Sequence, residues 1–348
     1  MTAPPIRVLI VDDSAFARKV LREVLGGDPS IAIVGIARDG LDALEKIIEL
    51  DPDVVTLDLV MPNLDGLGVL RALGEQKAQD VVVPHVLVVS MADDQSELGL
   101  AALDAGAVDI VQKPTSLATD RLYEMAAELI AKVKIAAAVK RRPARSPTPV
   151  PGGSPFTKGA TKQVVVIGAS TGGPQALTKV LTELPADFPL PIAIALHMPP
   201  GYTEAFASRL DRSCAISVAE ASEGLELRPG LAIVARAGMH LKLVAGRDAV
   251  TARLDVSPIT KPHRPSVDVL FETAAAVFGA GTLGVVLTGM GDDGLEGARA
   301  IRGAGGVVLT EDEASCVVYG MPRSVHEAGL SNLVVSLERM AAAIQRHL

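Results

Sequence analysis

The stretch QVVVIGASTGGPQA, from Gln163 to Ala176, is a buried strand running into a turn of small residues with one serine at its tip. A strand-to-helix turn of this kind exposes backbone amides, carries positive potential and tolerates only small side chains. The same geometry serves a nucleophilic Ser170 or a phosphate, so the rest of the chain has to decide between them.

At 348 residues the chain exceeds the usual size of one domain, and two domains are expected. It is 49% hydrophobic by count and contains no Trp, a composition that favours buried parallel strands flanked by helices. The formal charge of -8 argues against a general nucleic-acid binder, which needs a basic surface for phosphates. Apolar runs such as VLVVSMA are cut by Pro, Gly or charge well short of the roughly 20 residues that span a bilayer, so a soluble protein without direct membrane insertion is expected. The N-terminal MTAPPIRVLIVDD lacks the order of segments of a signal peptide. Two cysteines, Cys214 and Cys316, are too few for a disulfide framework, and with that N-terminus they point to the cytoplasm.

From Ile6 to Lys134 the runs RVLIV, IAIVGIA, DVVTLDL, HVLVVSM and VDIVQK alternate with amphipathic segments such as DGLDALEKIIEL, which predicts a five-strand doubly wound domain over 1–134. Residues 135–162, rich in Pro, Gly, Ser and base, read as a linker in which Lys140, Arg141, Arg142 and Arg145 are a solvated tether. A second, mostly parallel doubly wound α/β domain is expected over 163–348, with strands at VVVIGA, PIAIAL, LAIVA, LGVVLTG and GGVVLTED. HLKLVAGRDAVTARL reads as a hairpin, and EASCVVYGMPR as a strand followed by a turn that gives Cys316 a packing place.

Open parallel sheets collect ligands at the carboxyl ends of their strands. In the first domain these ends carry Asp12 and Asp13, Asp58, Ser90 and Lys113. The carboxylates offer a hard cation such as Mg²⁺ an oxygen-rich site, Asp58 can attack a phosphoryl group, and Ser90 and Lys113 can hold the phosphoryl oxygens. Singly each acid reads as a cap or a solvated residue; the three acids, Ser90 and Lys113 together at matching positions read as a phosphoryl acceptor. In order, VDDS, TLDLVMPNLDG and QKP resemble the response-regulator receiver family, of flavodoxin-like fold. That resemblance implies phosphorylation of Asp58 by a histidine kinase, with the carbonyl of Val60 completing the metal shell.

The second domain is too long and strand-rich for a helix-turn-helix output. VVVIGASTGG lacks GxGxxG, and the next strand ends in His197 where a ribose would need an acid, which disfavours a dinucleotide. Gly168, Ser170 and Gly172 instead satisfy GxSxG, the elbow that lifts a serine hydroxyl clear of a sheet. His197 follows PIAIAL, and Asp292 and Asp293 follow LGVVLTG, so a hydroxyl, an imidazole and a carboxylate all fall at ends of expected parallel strands. His240 and His263 read as loop residues able to line a groove; no His pair has metal-ligand spacing.

GASTGGPQAL, HMPPGYTEAFASRLD, HRPSVDVLFETAA, LTGMGDDGLEG and EASCVVYGMPR, in this order, resemble the chemotaxis response-regulator protein-glutamate methylesterase family across both domains. The resemblance implies a serine hydrolase, without a cofactor in this domain, that demethylates glutamate methyl esters and deamidates glutamines on methyl-accepting chemoreceptors. It selects Asp293 of the acid pair and places Thr171 and Met290 at the oxyanion. A receiver fused to such a domain suggests a lid over Ser170 that phosphorylation opens. A non-catalytic receptor-binding adaptor is the alternative. VARAGMHLKL departs from the family, with Arg236 and Ala237 where a proline-glycine turn is usual.

Overall fold

Runs of Val, Ile and Leu too short for helices and bounded by Asp, Gly or Pro become strands here, and the amphipathic segments between them become the covering helices. The computed structural model describes residues 4–79, 81–90, 96–113, 119–138 and 161–348, without side chains for 119–125. The chain divides into two compact units, Met1–Pro147 and Thr148–Leu348. Residues 139–160, which hold most of the expected linker and its basic cluster, lie outside the described residues.

The first unit runs β1 (Ile6–Val11), α1 (Ala15–Gly26), β2 (Ile31–Ala37), α2 (Gly40–Leu50), β3 (Val54–Leu57), α3 (Gly66–Ala78), β4 (His85–Ser90), α4 (Ser96–Asp104), β5 (Asp109–Gln112) and α5 (Thr119–Ala138). Its sheet is wholly parallel in the order β2-β1-β3-β4-β5, as the five expected strands require. Strand order reverses beside β1, so the crevice at the carboxyl ends of β1 and β3 is the natural ligand site. The ladder continues one residue past the strands: Asp12 N donates to Ala37 O at 3.2 Å and Asp58 N to Val11 O at 2.9 Å. Asp39 and Asp65, in contrast, spend their carboxylates capping α2 and α3. α5 continues past Lys134, with Ala136 fully buried against the unit.

The second unit runs β6 (Val164–Ala169), α6 (Gly173–Thr182), β7 (Ile192–Leu196), α7 (Thr203–Ser213), β8 (Ser217–Glu220), β9 (Leu231–Val234), β10 (His240–Ala245), β11 (Val250–Asp255), α8 (Val267–Phe278), β12 (Thr282–Val286), α9 (Leu295–Gly303), β13 (Val307–Glu311), α10 (Met321–Glu327), β14 (Leu333–Val335) and α11 (Leu337–Arg346). Seven parallel strands lie in the order β14-β13-β12-β6-β7-β9-β8, with β10 and β11 as a separate antiparallel hairpin. The edge strands β8 and β14 escape sequence reading because SVAE and LVV are too short for a period to register. Val164 and Val166 of β6 point into a core with Leu270, Phe271 and Ala274 of α8 and Leu241 and Leu243 of the hairpin. Each fully buried Val, Leu or Phe side chain here contributes about 2 kcal/mol.

EASCVVYGMPR departs from its expected form. Residues 312–320 are turns and bends with an isolated Gly289–Tyr319 bridge rather than a strand, because Glu311 ends β13 and Gly289 O takes the Gly320 and Met321 amides at 3.1 and 2.8 Å. His240 is also not a loop residue: it begins β10, wholly buried, where its Nδ1 accepts from Ser266 N at 3.2 Å. Among the described residues no helix is long and apolar enough to cross a membrane.

Candidate active site

Ser170 stands one residue past β6, where Leu287 N donates to Gly168 O at 2.9 Å and Ser170 N to Thr288 O at 3.0 Å. His197 stands one residue past β7, its amide donating to Ala169 O at 3.0 Å. Parallel pairing of β12, β6 and β7 thus brings the exits of all three strands to one rim. The turn requires its glycines. A Cβ on Gly168 would lie 2.2 Å from Val267 Cγ1, and Gly172, at φ +77°, has Val317 where a side chain would go. Gly173 N closes the elbow on Ser170 O at 2.6 Å, and α6 starts there, directing the positive end of its dipole toward the serine.

His197 Nε2 and Asp293 Oδ2 are 2.8 Å apart. Asp293 is fixed from three further sides: Ser266 Oγ donates to Oδ1 at 2.9 Å, Val267 N to Oδ2 at 2.8 Å and Asp268 N to Oδ1 at 3.0 Å. Burial alone would raise this carboxyl, but the His197 bond and charge and the two amides outweigh it and hold Asp293 well below the usual carboxylate range. Asp292 is exposed and carries none of these bonds; its carbonyl accepts from Leu295 N at 2.9 Å. Among the described contacts Ser170 Oγ makes no hydrogen bond to the imidazole, and backbone register alone places the serine beside it. Nδ1 is the ring nitrogen that Asp293 leaves for it.

Thr171 is buried, and Thr288 Oγ1 donates to its carbonyl at 2.9 Å. Met290 lies on the adjoining loop, between Gly289, which packs on Ser170, and Gly291 at φ +81°. Exposed His263 is a stacking residue: its ring lies over His197 with centroids 4.3 Å apart. In the loop that departs from the family, Ala237 N donates to Thr203 Oγ1 at 3.2 Å and Gly238 N to Arg264 O at 2.9 Å. Neither bond involves Ser170, His197 or Asp293.

Sequence reading passed over the residues that hold Asp293. HRPSVD supplies Ser266 as N-cap of α8 and buried Asp268, whose Oδ1 accepts the Gly294 and Gly297 amides at 2.8 and 2.9 Å while Lys261 sits 2.6 Å from Oδ2. The available signal was Ser-x-Asp at a helix start, which reads as a cap from sequence alone. Cys214 is half-buried, its thiol pushed up to about 11 by burial, as in an inert packing residue.

On the rim of the first unit, Asp12, Asp13 and Asp58 carry carboxylate oxygens within 4.8 Å of one another. Lys113 Nζ lies 2.8 Å from Asp12 Oδ2 and 2.6 Å from Asp58 Oδ2. Burial, with the charge of Asp12, pushes the Asp58 carboxyl up against the pull of Lys113. Burial would lower Lys113, but its bonds to both carboxylates keep it charged. Ser90 is fully buried at the end of β4, Asp13 is exposed, and the Val60 side chain points to solvent. This donor set, all carboxylate and close-set, fits a hard divalent cation.

Residues 165–344 match the family described as CheB methylesterase, and residues 8–127 match the response regulator receiver domain. A protein-glutamate methylesterase/protein-glutamine glutaminase of Myxococcus xanthus is 61% identical over 99% of this chain and 98% of its own length. One from Symbiobacterium thermophilum is 44% identical over 98% of this chain and 97% of its own. The crystal structure of the Thermotoga maritima CheB methylesterase catalytic domain, 40% identical, covers 54% of this chain and all of its own, with a TM-score of 0.53.

Proposed function

Because the chain belongs to the CheB methylesterase family and carries a response-regulator receiver domain, we propose that it is a phosphorylation-regulated protein-glutamate methylesterase and protein-glutamine glutaminase of a chemotaxis-type pathway. Its substrates are glutamate methyl esters and glutamines on methyl-accepting chemoreceptors. The observation that carries the catalytic part is the 2.8 Å contact of His197 Nε2 with Asp293 Oδ2 on the rim that holds the Ser170 elbow.

Ser170 Oγ attacks the ester carbonyl while His197 Nδ1 takes its proton. Asp293 keeps the other ring nitrogen protonated and stabilises the imidazolium that forms. The tetrahedral oxyanion is met by Thr171 and Met290 on the two loops flanking the serine, with the start of α6 adding positive potential. Collapse expels methanol, which takes the proton from His197. Water, deprotonated by the same imidazole, then releases the glutamate carboxyl and returns Ser170. A glutamine follows the same course with ammonia as the leaving group.

In the receiver, Asp58 accepts the phosphoryl group from a histidine kinase, and Lys113 and Ser90 hold the transferred oxygens. Asp12, Asp13, Asp58 and the Val60 carbonyl are the groups that would hold Mg²⁺, which when bound supplies charge neutralisation. A kinase donor and receptor substrates of this kind go with a cytoplasmic protein, which is the location this reading takes. Methanol release from methylated receptor membranes, and ammonia release from glutamine-bearing ones, test the whole reading. Both proceed with the wild type and stop with Ser170→Ala; receptor binding without either product would make the protein an adaptor instead.

A further inference from the structure

We propose that His263 is a positioning residue for the catalytic base: its ring, stacked on His197, sets the plane of that imidazole so that Nδ1 is aimed at Ser170, and it screens the imidazole from water. The proposal rests on Ser170 being the nucleophile and His197 its base. Asp293 alone does not fix the plane. Nε2 meets Asp293 Oδ2 at 2.8 Å, and the His197 amide ties the main chain to Ala169 O at 3.0 Å. Between these anchors lies χ2, an sp³–sp² torsion with broad wells. Nε2 is nearer the Cβ–Cγ axis than Nδ1 is, so a twist about that bond moves Nδ1 further than Nε2. A twist that the Asp293 bond tolerates therefore re-aims the nitrogen that must take the serine proton.

A flat ring against one face opposes that twist. His263 lies over His197 with centroids 4.3 Å apart and planes 23° from parallel, close to the stacked geometry that aromatic pairs adopt. His263 is the exposed member of the pair, whereas only 11% of the His197 side chain is open to solvent. With water kept from that face, the contact of His197 with Asp293 sits in a less polar setting and is stronger for it. The chain around His263 is built to hold a ring there. In KPHRPSVD, residues 261–268, Pro262 and Pro265 restrict the backbone on either side of His263 and Arg264. Lys261 Nζ sits 2.6 Å from Asp268 Oδ2, and Arg264 O accepts from Gly238 N at 2.9 Å. The later part of the same segment gives Ser266 Oγ, Val267 N and Asp268 N to Asp293 at 2.9, 2.8 and 3.0 Å. One segment thus grips the acid with its second half and covers the base with its first.

The test uses the full chain with His263→Ala, His263→Gln and His263→Phe. Ala removes the ring, Gln keeps a hydrogen-bonding amide without an aromatic face, and Phe keeps the face without the nitrogens. Two rates are measured at one pH: methanol release from methylated receptor membranes, and labelling of Ser170 by a fluorophosphonate, which needs the base but not the receptor. H263A and H263Q should lower kcat and the labelling rate together, each about tenfold, with KM within about twofold of the wild type. H263F should recover both rates to within about threefold of the wild type. The position is exposed, so the variants should fold; if one of the two ring-less variants does not, the other decides. Labelling of H263A at the wild-type rate, or a rise in KM in place of the loss in kcat, would make His263 a receptor contact and overturn the proposal. A loss in H263F as deep as in H263A, or rescue by Gln alone, would overturn it too, since a hydrogen bond and not the stacked face would then be at work. Failure of the esterase reading looks different: the wild type releases no methanol, while the order of labelling rates still reports on His263. A wild type that takes no label would remove the nucleophile and this role together.

Discussion

His197 Nε2 faces Asp293 Oδ2 at 2.8 Å, and this leaves Nδ1 as the imidazole nitrogen for the serine. The assignment depends on the carboxylate staying charged, which its four hydrogen bonds secure.

Asp293→Asn should therefore keep the shape of the site and lose the tautomer. An amide cannot stabilise the imidazolium, so kcat/KM for methanol release should fall about a thousandfold or more, with receptor affinity little changed. Asp292→Asn, exposed and outside this network, should stay within about twofold of the wild type. Equal losses in the two variants would undo the choice between the neighbouring acids.

Ser266→Ala removes one donor from a buried carboxylate. Thermal or urea unfolding should show a loss of about 1 to 3 kcal/mol. If Ser266 also aims Asp293, kcat should drop about tenfold without a matching rise in KM. A variant less stable but fully active would confine Ser266 to capping α8.

Much of this arrangement was legible beforehand. Strand exits can be read wherever an apolar run stops at a chemically distinct residue, as at Asp12, Asp58, Ser170 and His197. The second layer was not legible, for a physical reason: Ser266 and Asp268 look like an ordinary helix start, and only the fold brings that start to Asp293, 27 residues from Ser266 in sequence. Glu311 was hidden in the same way, since an acid at the end of GGVVLTED gives no sign that the strand buries it. His240 misled because the Gly-Met-His approach resembles a turn, whereas the hairpin register with Asp255 fixes it in β10.

Phosphorylation should act through Asp58. With an acyl phosphate or phosphoramidate as donor, Mg²⁺-dependent stimulation of methanol release should vanish in Asp58→Ala, the stimulated and unstimulated rates becoming equal. Chelating the cation should do the same to the wild type. Stimulation that survives the substitution would move the acceptor elsewhere.

Glu311, wholly buried at the end of β13, makes stability depend on pH. Burial pushes its carboxyl up to about 7 in the folded chain against an ordinary value of 4.5, so between these the folded state holds more proton on it than the unfolded chain does. Its contribution is fully present below the unfolded value, declines as pH rises toward the folded one and is flat above. Relative to Glu311→Gln, the wild type should lose about 3 kcal/mol across that window. A constant difference in unfolding free energy over the same pH range would show that Glu311 is ionised in the folded protein.

The nucleophile can be caught in the act. Turnover of a methylated receptor is quenched in acid within the first cycle, the protein is digested, and the peptide bearing Ser170 is weighed by mass spectrometry. An acyl adduct on Ser170, formed as methanol appears and missing from Ser170→Ala, is the predicted result. Methanol released in a full first turnover with Ser170 unmodified, or undiminished by its replacement, would contradict the mechanism.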